Sequence, residues 1–222
     1  MANSASAEQD GGDAPKLSVR LVGWGGLLAC VAGGVLWALS PIGVHLSELK
    51  FHTPNVFWKV FWPAPLLVLF GLLGLQVRQA GRPGPLRKAG LFVAALGLVL
   101  VVAGDIGLYW LGIDDAFIVA APAYRAFRLG LLAFAVGSIL FAVGAGRDEA
   151  LPPWCALPLA IASLAGLVSF AADLDGLGAS LWILFGLGWA WLGLSLLAVG
   201  IASLAAGKRA VAADPPNDGA RG

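Results

Sequence analysis

The sequence predicts an all-α fold, a polytopic transmembrane helical bundle of six spanning helices with both termini cytoplasmic, and three observations lead there. Of 222 residues, 59% are hydrophobic and only 12% charged, with a mean hydropathy of +0.85. That is more apolar surface than one water-soluble core can bury. Six stretches reach the ~20 residues that cross a hydrocarbon core of ~30 Å at ~1.5 Å per residue. In lipid every backbone amide needs an internal partner, so apolar runs of this length are helices.

Taken in order, residues 1–20 are small, polar and acid-containing and read as a disordered cytoplasmic tail. The apolar run after them is longer than a secretory signal core, and its only cleavage-like triplet is followed by Pro41, so it is expected to stay as a membrane anchor. The expected spans are 21–44, 54–77, 89–111, 123–145, 152–172 and 181–206, followed by a second disordered tail at 207–222. Punctuation supports these limits. Thr53-Pro54 reads as a helix start, Gly146 as a stop, Pro152-Pro153 as a start and Ser180 as a cap.

Orientation follows from Lys and Arg, which are retained on the cytoplasmic side. Ten of the fourteen fall on the side of the termini, with RQAGRPGPLRK the strongest marker, and Lys50, Lys59, Arg125 and Arg128 fall on the other. Tryptophans fit the same register. Trp24 and Trp154 mark the inner interface, Trp58, Trp62, Trp110 and Trp182 the outer one, and Trp37, Trp189 and Trp191 lie deeper and fill space between helices.

Small residues mark helix contacts in lipid. The first helix carries two ridges, Gly25-Ala29-Gly33 and Gly26-Cys30-Gly34, and the pattern recurs at Ala133/Gly137 and Ala162/Gly166. The expected partners are the lipid bilayer and a second copy of the chain through Gly25, Ala29 and Gly33. No basic patch with interleaved aromatics points to nucleic acid.

Chemistry-bearing residues are few. Asp105 lies 17 residues past Lys88, ~25 Å along a helix entered from the cytoplasm, hence in the outer third of the core. Such an acid needs a partner or a proton. Tyr109 follows one turn later, Lys59 matches it in depth as a counter-ion, and Arg125 and Arg128 oppose both a helix dipole and the positive-inside rule, so they too need compensation. These five form the candidate intramembrane polar cluster. Pro41, Pro54, Pro63 and Pro65 fall in the outer halves of the first two helices, where breaks in the backbone ladder would suit an outward vestibule. His45, Glu48 and His52 match no zinc spacing, Cys30 and Cys155 read as inert thiols, and no phosphate loop or hydrolase motif is present. No metal, cofactor or catalytic residue is therefore expected.

An internal repeat is faint: LFGLLGLQVRQAGRPGPLRKAGLFVAALG loosely echoes ILFAVGAGRDEALPPWCALPLAIASLAG. The run GLLGLQVRQAGRPGPLRKAGLFVAALGLVLVVAGDIGLYW, with the ending FGLGWAWLGLSLL, resembles a group of bacterial polytopic membrane proteins of high-GC organisms that share a RQAGRxGxL turn and have no assigned activity. The resemblance implies a multi-pass protein of the bacterial plasma membrane and carries over no functional residue. The expected function is non-enzymatic, structural or interaction-mediating. A small carrier or channel with a vestibule at Asp105, Lys59 and Arg125 is the alternative, and a lipid-headgroup enzyme at the outer face a further one.

Overall fold

The computed structural model describes residues 14–50, 61–78, 84–111, 117–148, 151–172 and 177–213. They form six helices: α1 (Ala14–Lys50), α2 (Pro63–Arg78), α3 (Pro85–Ile106), α4 (Phe117–Arg147), α5 (Pro153–Ala172) and α6 (Leu177–Ala213). A π-helical turn, Gly107–Leu111, extends α3. No strand occurs among the described residues, and the fold is an all-α bundle.

Four helices contain segments long and apolar enough to cross a membrane: Val22–Gly43, Pro85–Leu111, Pro122–Arg147 and Leu181–Ala206. The apolar parts of α2 and α5, Pro63–Val77 and Pro153–Val168, are shorter. At ~1.5 Å per residue they reach only about 22 to 24 Å.

Several boundaries differ from expectation. α1 begins at Ala14 and α6 runs to Ala213, so parts of both expected tails are helical; the rest of each tail, 1–13 and 214–222, lies outside the described residues. Pro15 sits in the first turn of α1, where its missing N–H costs nothing. Ser180 lies inside α6 instead of capping it. Pro63 opens α2 directly after a turn at Trp62 and Pro65 stands in its first turn, whereas Pro41 lies within α1. Thr53, Pro54 and Trp58 fall outside the described residues.

Each helix packs on the next in chain order, and α6 returns to α1, closing a ring. The most extensive seam joins α3 to α4, and its cause is a seven-residue glycine spacing on both. Gly90, Gly97 and Gly104 lie against the backbones of Phe141, Phe134 and Phe127, one to one. In return Gly144, Gly137 and Gly130 lie against Arg87, Ala94 and Val101. A Cβ on Gly104 would come to 2.5 Å from the Phe127 amide nitrogen, and one on Gly130 to 2.6 Å from that of Val101. Only glycine allows this approach. Seven residues approximate two helical turns, so the same face meets the partner along the whole length, as in left-handed antiparallel packing.

α1 is pinned on two sides. Gly26, Cys30 and Gly33 meet α2 at Gly74, Gly71 and Val68, while Val31, Gly34 and Ala38 meet α6 at Gly193, Ala190 and Gly186. The expected four-residue ridges are therefore split between two neighbours. Gly33 is consumed inside the bundle, and Gly25 faces open space.

Aromatic side chains fill the ring. Trp37 packs edge-on against Phe61 at 4.9 Å and Phe185 at 5.7 Å, Phe134 meets Phe185 at 4.9 Å, and Trp189 stacks on Phe134 at 5.3 Å and 19°. Trp182 joins this cluster against Trp37 instead of serving only at an interface. Trp191 departs from expectation in the other direction: it is half-exposed, and its indole reaches the Trp154 carbonyl on α5. Several buried polar groups are satisfied by carbonyls, whereas the buried Trp189 Nε1 has no hydrogen-bond partner among the described residues. Ser138 and Ser163 each donate to the carbonyl four residues back at 2.7 Å, and the Cys30 thiol reaches the Trp189 carbonyl at 3.4 Å.

Candidate functional site

Asp105 lies on the α3 stripe that also carries Leu91 and Leu98, and the stripe faces the interior because the adjacent glycines hold α3 against α4. The residue is 0% exposed. Neither carboxyl oxygen has a hydrogen-bond partner among the described residues. Fewer than 10% of buried polar groups go without a partner, so such a group calls for an explanation. It also stands two residues before the π-helical turn, an irregularity frequent at functional sites.

Tyr109 sits within that turn, half-buried and close enough to Asp105 and Tyr124 to interact electrostatically with both. Tyr124, on the facing part of α4, was not anticipated. A phenol carries no helical periodicity signal, and only the pairing of Gly107 with Ala123 brings it level with Tyr109.

The two arginines do not join the acid. Arg128 lies over the Phe170 ring at 4.6 Å and donates to the Tyr124 hydroxyl at 3.5 Å, directing its charge toward α5. Arg125 is exposed. The reason is rotational: the register that sets Gly104 on Phe127 places Asp105 inward and Arg128 on the outer side of α4. Of the five candidate residues the structure brings together Asp105 and Tyr109; Lys59 lies outside the described residues, as do His52, Asp114 and Asp115.

A second charged site escaped sequence reading. Arg87, assigned above only as a topology marker, is 1% exposed, and its Nη1 lies 3.9 Å from Asp148 Oδ2. Gly144 packs on the Arg87 backbone, and a Cβ on Gly84 would collide with Asp148. The ion pair therefore clasps the start of α3 to the end of α4, opposite the Asp105 end. Its sequence signal was the seven-residue step from Arg87 through Ala94 to Val101, facing glycines at the same step.

An open groove of about 390 Å³ lies between α5 and α6, floored by Ala162 and Gly188 and walled by Leu157, Leu184 and Trp191. Its lining offers hydrocarbon surface and one indole already hydrogen-bonded, so it suits an acyl chain and no polar substrate. No group of three or more metal-ligating side chains gathers among the described residues.

Comparison of the chain with protein-family models, with curated proteins and with solved structures returns no match. The apolar helices identify a membrane protein. Any functional assignment rests on the geometry above.

Proposed function

We propose that the chain is a multi-pass protein of the bacterial plasma membrane that crosses it six times, with both termini cytoplasmic, and acts as a non-enzymatic structural or interaction protein. The observation that carries this reading is the filled ring: Trp37, Phe134, Phe185 and Trp189 occupy its centre, each no more than 3% exposed. An interior packed with aromatic rings holds helices together and offers no aqueous path through its middle. The Arg87 end, toward which α1 begins and α6 finishes, also gathers the basic turn between α2 and α3, in keeping with a cytoplasmic face. The half-buried remainder of the α1 face, at Ala29, is available to a second copy of the chain.

The experiment is reconstitution of the full chain into lipid vesicles with measurement of ion and small-solute flux. Flux equal to that of protein-free vesicles is expected, and flux well above it overturns the reading in favour of a carrier. The specific observation that favours a carrier is Asp105, buried without a partner among the described residues.

A further inference from the structure

We propose that Asp105, with the Tyr109 phenol beside it, is a proton-exchange site reached from the Trp110 end of the bundle alone. It stands independently of the structural reading above. A carboxyl placed in a spanning helix requires a compensating partner, and the buried serines show how this fold supplies one when it can: within the same helix, at 2.7 Å. Asp105 has no such arrangement among the described residues. Its partner is then a mobile one, and a proton fits better than a metal ion. No group of three or more metal-ligating side chains gathers there among the described residues.

Access is one-sided. Toward the Arg87 end, Leu98 and Val101 are both 0% exposed and stand below the acid, with Trp37 and Phe134 beyond them. Toward the other end the exposed Trp110 and Leu111 lie only five and six positions beyond Asp105, within about 9 Å of helix. Tyr109 on this turn and Tyr124, Arg125 and Arg128 on α4 are the titratable or charged groups nearby. The described side chains of α1, α2, α5 and α6 at this end contribute none.

The test is infrared difference spectroscopy of the full chain in lipid nanodiscs across a pH titration, comparing wild type, Asp105→Asn and Asp105→Glu. A protonated-carboxyl band worth one group is expected in wild type, lost in Asp105→Asn and shifted in Asp105→Glu. In oriented vesicles holding a pH difference, its titration should follow the buffer on the Trp110 side and not that on the other. The glutamate variant keeps the test alive if the amide variant does not fold. A band identical in wild type and both variants overturns the proposal, as does one that never titrates or that follows the pH of either side equally. A band abolished by sodium makes the site a metal-cation site. Restoration of wild-type folding in a Lys59→Met, Asp105→Asn double variant makes the acid one half of a fixed ion pair, and also overturns it.

Discussion

The indole Nε1 of Trp191 donates to the carbonyl oxygen of Trp154 at 2.9 Å, and that carbonyl is the one Pro158 leaves without a helical donor. A proline removes the N–H that would bond four residues back. A side chain from the next helix fills the gap. Trp191→Phe should destabilise the protein by about 0.5 to 1.5 kcal/mol, read by thermal unfolding in nanodiscs. In a Pro158→Ala background, where the backbone bond is restored, the same substitution should cost much less. Equal costs in both backgrounds would show that the indole acts only by packing.

The α3–α4 seam predicts a sharp contrast among glycines. Gly97→Ala or Gly137→Ala forces a methyl into the facing backbone and should cost on the order of 1 to 3 kcal/mol, while Gly25→Ala and Gly146→Ala meet nothing within 4 Å and should cost nothing or help slightly. Unfolding midpoints of the four variants check this ranking.

Removing one member of a buried ion pair leaves the other charge uncompensated. Arg87→Met deletes the buried charge and Asp148→Asn the acid that faces it; the carboxylate is 26% exposed and the gap is 3.9 Å, so water moderates the loss. Asp148→Asn should therefore cost only about 1 kcal/mol, shrinking as salt is added. A cost independent of salt would count against a Coulombic clasp.

Asp105→Leu should stabilise the protein on the order of 1 to 2 kcal/mol, because a group that is costly in a spanning helix gives way to one that belongs there. Strong destabilisation would instead reveal a fixed partner for the carboxylate.

The helices were legible because length and hydropathy determine them in lipid, and the proline at Pro153 marked its start correctly. The burial of Asp105 could be anticipated from its depth, but its isolation from Arg128 could not. That depends on how α4 is rotated, which the α3–α4 glycines determine through pairing across a turn. Four-residue spacing on α1 points to Gly25-Ala29-Gly33, whereas Gly25 faces open space and the operative contacts are Gly26 and Gly33, seven residues apart, on α2 and Gly34 on α6. Arg87 was read only as a charge because positive-inside counting treats every basic residue near a turn alike, whether exposed or clasped.

The central claim, that the ring is filled and dry, is tested most directly by cysteine accessibility. In a chain with Cys30 and Cys155 replaced by alanine, Ser138→Cys, Ser163→Cys and Ser195→Cys each place a near-isosteric thiol at a position no more than 4% exposed, with Gly146→Cys as the open control. Membrane-impermeant thiol reagents applied from both sides should label the control and leave the three interior thiols unmodified. Rapid labelling of Ser138→Cys or Ser195→Cys would establish a water-filled path and contradict the account.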